Sequence, residues 1–369
     1  MNRHKLGITT FLLAFLMFPV ILSSAAAQTV SPGDISIIDL YSSIDSADVT
    51  LHSEAHCTDI TIDAELMLGA EVLRTERFRI NEALPDTDIT KVVVWDLKSL
   101  EDGFYLTKIT ISMGGSVLDT RYHNFSYGSP ALPKVFIKDI IPNSRGVSII
   151  IAPYRTAYGA QAVLTDVEYM LVDGDTVIYR TTDQRVDVVQ TTPLSEDWNV
   201  RLENNHQYSA RVKINVPSQR QRDTVIARSV GFTAEDDACI TELYRDETGA
   251  SATVLGLSQV PFTGEIVFTV SKDGETIEEI REKSPILMSE DDETTEVIWD
   301  GRLPAGTYEL SVKVIGNDGD VVDILETVIE AEESGYNASA TATTAPETPG
   351  FNVCQVVFTF LALYLLRRN

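Results

Sequence analysis

Three tryptophans set the strongest constraint on how this chain of 369 residues folds. Trp95, Trp198 and Trp299 stand 103 and 101 residues apart, inside KVVVWDLKSLEDGFYLTKITISM, SEDWNVRLENNHQYSARVKINV and TEVIWDGRLPAGTYELSVKVIG. Each is followed by a leucine (Leu100, Leu202, Leu303), a turn and a tyrosine (Tyr105, Tyr208, Tyr308). From each tyrosine the chain alternates: Tyr308, Leu310, Val312 and Val314 fall on one side, Glu309, Ser311 and Lys313 on the other. A period of two is that of a half-buried strand. A strand-and-turn pattern that returns every hundred residues means one unit built three times.

The repeats also open alike. IIDLY at 37–41, IKDII at 137–141 and ITELY at 240–244 bring Asp39, Asp139 and Glu242 into register. LVDGDTV, SKDGETI and GNDGDVV each set Asp-Gly between strand-like runs, the chemistry of a tight hairpin. Helical periodicity is confined to the two termini. With 44% hydrophobic residues there is enough apolar material for packed cores. The expected fold is therefore all-β, with β-sandwich domains over 28–129, 130–235 and 236–333. Short joints, GSPALP at 128–133 and AEDDA at 234–238, predict a semi-rigid rod, the first joint restricted by Pro130 and Pro133.

The two ends read differently from the body. Residues 1–27 place Arg3 and Lys5 before an apolar run from Phe11 to Leu22 and then Ala25, Ala26 and Ala27, the three-part pattern of a secretory signal helix. Residues 334–349, SGYNASATATTAPETP, have no apolar periodicity and read as an extended stalk. In 350–369 an apolar run from Val353 to Leu366 gives one short transmembrane helix, and Arg367 and Arg368 hold its end in the cytoplasm. Both ends place the body outside the cell.

The ordered combination of Thr-rich stalk, Pro349-Gly350-Phe351, apolar helix and terminal Arg367-Arg368 resembles the archaeal PGF-CTERM sorting signal. The resemblance covers about the last 35 residues of the chain and concerns address rather than activity. It implies an archaeosortase-type membrane protease that recognises the tripeptide, and a membrane lipid joined to the new C-terminus. Cys354 and Gln355 depart from the usual composition of such tails, so removal and retention of the helix both stay open. The order leucine, turn, tyrosine resembles the tyrosine corner of immunoglobulin-like and fibronectin type III domains, which implies that Tyr105, Tyr208 and Tyr308 pin a crossover through their hydroxyls. The repeats lack the cysteine pair of the antibody type.

Charge narrows the function classes. Lys and Arg total 29 against 55 Asp and Glu, a net charge of −26 that repels phosphate backbones and excludes nucleic acid as a partner. Losing both ends removes Arg3, Lys5, Arg367 and Arg368 and no acid, which leaves 25 basic side chains against 55 and a net charge of −30. Such a surface keeps a protein dispersed in salty media.

Candidate chemistry is sparse. His52, Glu54 and His56 would share one face of a strand and could converge on a metal ion, although polar side chains on a solvent face explain the same letters. Cys57 would then point into the core. The Asp-Gly turns at 173–175, 273–275 and 318–320 lack the twelve-residue calcium loop, and Glu290 to Glu293 reads as a solvated loop. His206 falls in the corner loop before Tyr208. No G-x-S-x-G, H-E-x-x-H, P-loop or G-x-G-x-x-G is present, so no catalytic residue, cofactor or metal is assigned. Asn124 and Asn337 stand in N-glycosylation sequons. Cys57 and Cys239 read as small buried side chains in units that a rod keeps apart. The sequence thus describes a cell-surface protein with a structural or adhesive role in the envelope, its partners surface-layer proteins or further copies of itself. The alternative is an extracellular module binding a carbohydrate, a protein or a metal, or an accessory subunit of a surface enzyme.

Overall fold

The computed structural model describes residues 33–97, 101–128, 134–154, 162–217 and 223–332. The signal segment, the stalk and the tail, with Asn337, Pro349, Gly350, Phe351, Arg367 and Arg368, lie outside the described residues, as does Leu100.

The described residues are all-β, and in them the hundred-residue repeat appears as seven strands three times over. The first set is β1 (Ile35–Ser42), β2 (Ser46–Ser53), β3 (Cys57–Leu68), β4 (Glu71–Ala83), β5 (Thr87–Val94), β6 (Gly103–Met113) and β7 (Ser116–Tyr127). The second is β8 (Val135–Pro142), β9 (Gly146–Pro153), β10 (Val163–Asp173), β11 (Thr176–Val188), β12 (Thr192–Asp197), β13 (Gln207–Val216) and β14 (Thr224–Thr233). The third is β15 (Ala238–Arg245), β16 (Gly249–Gly256), β17 (Glu265–Lys272), β18 (Glu275–Lys283), β19 (Asp292–Ile298), β20 (Gly306–Ile315) and β21 (Val321–Ala331). Each set forms a three-stranded layer (β1-β2-β5, β12-β9-β8, β15-β16-β19) over a four-stranded one (β4-β3-β6-β7, β11-β10-β13-β14, β18-β17-β20-β21).

Period-two patterning explains the layers. In β3 the apolar Ile60, Ile62, Ala64 and Leu66 are fully buried, while Asp63 and Glu65 between them face outward. Three separate cores result, centred on Trp95 with Tyr105, Trp198 with Tyr208, and Trp299 with Tyr308. Burial of one such aliphatic side chain contributes roughly 1.5–3 kcal/mol, so each core supplies most of the driving force for its own unit.

The first strand of the repeat carries the same irregularity in each unit. β1, β8 and β15 break register between Ile37 and Asp39, Ile137 and Asp139, and Ile240 and Glu242. In two of them a last-strand aspartate reaches across from the other layer: the Ile37 N–H donates to Asp119 Oδ2 at 2.9 Å, and the Ile240 N–H to Asp323 Oδ2 at 2.8 Å. A bulge leaves one amide without a ladder partner, and the carboxylate satisfies it.

The Asp-Gly segments are turns. Asp273 and Gly274 form a two-residue loop with φ of 52° and 81°, the left-handed pair that a tight hairpin between twisted strands requires. In the second unit the loop is Gly174-Asp175, one residue later than the dipeptide suggests.

One expectation fails at the level of architecture. The first two units are not held apart along a rod. β5 pairs with β11 at Lys91 and Thr176, and the outer face of β1-β2-β5 lies against the outer face of β10 and β13. The second and third units meet end to end. There the side-chain amides of Asn204 and Asn205 donate to the two carboxylate oxygens of Asp318 at 2.9 and 2.8 Å, and Arg145 pairs with Glu290 at 3.2 Å. Glu290 is thus engaged at a joint, whereas Asp292 and Glu293 belong to β19.

Candidate functional site

Each corner tyrosine hydroxyl bonds the backbone four or five residues upstream. The Tyr105 hydroxyl donates to the Glu101 carbonyl at 2.7 Å and that of Tyr308 to the Pro304 carbonyl at 2.8 Å. Tyr208 instead accepts the Glu203 N–H at 3.2 Å, and burial raises the pKa of its phenol. The tryptophans serve as ties as well as core. The Trp198 and Trp299 indoles donate to the carbonyls of Asn143 and Asp246 at 3.1 and 3.2 Å, whereas the buried Trp95 Nε1 has no hydrogen-bond partner among the described residues.

The metal candidates do not converge. β2 ends at Ser53, so the alternation that would align His52, Glu54 and His56 stops before Glu54. The two imidazoles turn to different carboxylates, His52 Nδ1 to Asp88 and His56 Nε2 to Glu82, each at 2.8 Å. Among the described residues no group of three or more His, Cys, Asp or Glu is arranged to hold a metal ion. Cys57 is buried in the first core as expected, but Cys239 is only half-buried, since it faces outward beside Leu255. Asn124 lies within β7 rather than after it, and is exposed. His206 sits at the corner of the second unit, its Nε2 2.8 Å from Asp173 and its ring 4.6 Å from that of Tyr208. The Asp173 hydrogen bond raises its pKa.

The densest cluster of charge among the described residues lies in the seam between the first two units. Asp48 on β2 and Arg211 on β13 are both fully buried. The Arg211 guanidinium grips Asp48 Oδ1 through Nε and Nη2 at 3.0 and 2.6 Å, and its Nη1 reaches Ser46 and Ser229. Lys213, two residues on and so on the same face, donates to Asp48 Oδ2 and Asp39 Oδ2 at 2.8 Å each and lies 3.3 Å from Glu168. Glu168 also pairs with Arg180, whose Nη1 reaches Thr50 at 3.3 Å. Three carboxylates therefore face three cations, and the cluster is neutral. The Tyr41 ring stands 6.0 Å from the Arg211 guanidinium carbon and 5.9 Å from Lys213 Nζ.

The electrostatics follow from that pairing. Burial disfavours the ammonium of Lys213, but Asp48, Glu168 and Asp39 outweigh it and raise its pKa. Burial likewise works against the Asp39 carboxylate, yet Lys213 and Arg180 hold its pKa below the ordinary 3.8. Beside the ions, Val92, Met170 and Val172 form a small apolar cluster of their own. At its edge Lys91 Nζ binds Asp175 at 2.7 Å, and the Val92 N–H donates to the Asp175 carbonyl at 2.8 Å. Every ion of the cluster is matched and four of the six are buried, an arrangement that fixes two bodies together.

The polar letters of β2 hid this seam. Ser46, Asp48 and Thr50 alternate with Ala47, Val49 and Leu51 as a solvent face would, yet all six are buried. The available signal was β10, where the unbroken run Tyr169-Met170-Leu171-Val172 marks a strand covered on both faces.

No family model and no curated protein matches the chain. Among solved structures it is similar to the tetra-tandem repeat in the extending region of a large adhesion protein, at 10% identity over 80% of this chain and 73% of that one, with a TM-score of 0.23. It is also similar to the FN1–FN3 domains of chicken CNTN1, at 13% identity over 81% of this chain and 99% of that one, with a TM-score of 0.21.

Proposed function

We propose that this is an exported archaeal cell-surface protein, held to the membrane by its C-terminus, with a structural or adhesive and non-enzymatic role in the envelope. The observation that carries the reading is the order of elements at the C-terminus: stalk, Pro349-Gly350-Phe351, apolar run, Arg367-Arg368. The secretory pattern of residues 1–27 supports it from the other end. An archaeosortase-type protease acting at the tripeptide and a lipid joined at the new end belong to the proposal, as do sugars on Asn337 in the stalk.

The three units are proposed to be sandwiches of the immunoglobulin or fibronectin type III kind. Support comes from their layers of three and four strands and from the corner hydrogen bonds of Tyr105 and Tyr308. The neutral, water-poor seam suits a stiff spacer better than a binding cleft. Mass spectrometry of the protein from fractionated host cells tests the assignment. Recovery in the membrane fraction, either ending near Pro349 with a lipid mass or retaining the tail, is the expected result. Recovery in the medium with an unmodified C-terminus would overturn it.

A further inference from the structure

The face of the first unit that is buried in the seam has a counterpart in the third unit, residue for residue. Tyr41 pairs with Asp48, which pairs with Val92; at the same places Tyr244 pairs with Ser251, which pairs with Glu296. Asp39, Thr50 and Thr90 correspond to Glu242, Thr253 and Thr294. The two threonine hydroxyls meet across the strands in both units, at 3.0 Å for Thr50 and Thr90 and 2.8 Å for Thr253 and Thr294. The bulge and its capping aspartate, Asp119 or Asp323, fix this register independently.

The two faces differ in what covers them. Tyr41 is 8% exposed under the second unit and Tyr244 66%, while at the rim the aliphatic side chain is open on both faces, Val94 at 63% and Ile298 at 80%. The outer face of β15-β16-β19 also carries Glu242, Asp292 and Glu296, with no Lys or Arg in those registers. An acidic sheet face with an exposed tyrosine and isoleucine is suited to a sheet face that brings cations, as the β10 and β13 face does for the first unit.

Such a face exists in this chain on the first unit. Because Tyr105 and Tyr208 are counterparts, β3 and β6 correspond to β10 and β13; Lys108 falls at the place of Arg211, and Asp63 at that of Glu168. With Arg77 and Arg79 on the neighbouring β4, the outer face of β4, β3 and β6 holds three cations against Asp63 and Glu65, in a chain of net charge −26. Arg77 and Lys108 are bound to those two acids at the surface, at 2.5 and 2.7 Å, and remain open to a further partner.

The geometry points to the outer face of β15-β16-β19 as a docking surface for a second copy of this chain, seated against the β3 and β6 face of that copy's first unit. The contact would repeat between molecules the packing that joins the first two units within one. It joins two different surfaces, a head-to-tail contact that builds a ring where the rotation between copies closes and an open chain where it does not. This rests on the structural reading above and names its partner.

Sedimentation velocity of the full-length chain in a non-ionic detergent, over a concentration series at low salt, tests it. Species larger than one copy are expected to grow with concentration and to recede as salt is added. The double variant Glu242→Lys/Glu296→Lys is expected to raise the concentration of half-association about tenfold or more, because it sets like charges opposite each other. Arg77→Glu/Lys108→Glu is expected to do the same, and mixing the two variants to restore association. Tyr244→Ser probes the same face with no change of charge, should either double variant lose its native circular dichroism. A single-copy species at every concentration, association that both reversals leave intact, or a mixture that does not recover would each overturn the proposal. Cell fractionation is decided separately: a chain that self-associates but is released unmodified into the medium keeps this contact and loses the anchored-surface reading.

Discussion

The first and third units present the same strand face built from related residues, and only the first buries it. Asp48 explains much of the difference. In the first unit it sits at the centre of the face and is stable there only because Arg211 and Lys213 reach it from the second unit. The third unit has Ser251 at that place and moves its carboxylate outward to Glu296, where water solvates it. A single buried charge thus turns a free sheet face into one that requires a permanent partner.

The largest effect that sharpens this contrast is expected from Arg211→Ala. It leaves the Asp48 carboxylate buried without its main partner and should cost about 3–5 kcal/mol, whereas Glu296→Ala on the exposed counterpart face should stay within about 0.5 kcal/mol. Denaturant unfolding of the two variants gives both numbers, and equal effects would break the comparison. Next in size, Trp198→Phe should cost more than Trp95→Phe by about 1 kcal/mol, since Trp198 loses an indole hydrogen bond that Trp95 does not make among the described residues. The same unfolding experiment reads it.

The seam also sets a pH window. Asp39 has a lowered pKa, so its contribution is complete above the ordinary 3.8 and is lost as the pH falls through its folded value. Lys213 has a raised pKa, so its contribution is complete below the ordinary 10.5 and is lost as the pH rises through its folded value. The Asp39 contribution should be lost at the acid end and that of Lys213 at the alkaline end, while His123, whose pKa burial lowers, should add a loss of stability as the pH falls below the ordinary 6.5, all read by chemical denaturation followed across pH. The smallest effect is local: Asp173→Asn should lower the pKa of His206, read from its ring proton shifts, with little change in stability because the pair is exposed.

Much of the fold was legible in the sequence. The spacing of Trp95, Trp198 and Trp299 set the number of units, and the alternation after each tyrosine placed β6, β13 and β20. Leu202 and Leu303, which follow two of those tryptophans, are buried beside them. The seam was not legible, because period-two patterning shows which face of a strand is apolar and says nothing about what later covers the polar one. His52, Glu54 and His56 misled for a related reason: spacing aligns side chains only while the strand lasts, and β2 stops at Ser53. The capping pair Asp119 and Asp323 also went unread, although both stand early in the last strand of their repeats.

The central claim, that one face is sealed in the first unit and its twin left bare in the third, can be tested within a single molecule. Hydroxyl-radical footprinting of the full-length chain, at a dilution where one copy predominates, measures Tyr41 and Tyr244 side by side. The expected result is strong oxidation of Tyr244 with protection of Tyr41 and of Met170 beneath the same seam. Comparable oxidation of Tyr41 and Tyr244 would mean that the first two units swing free, and the account of the seam would be wrong.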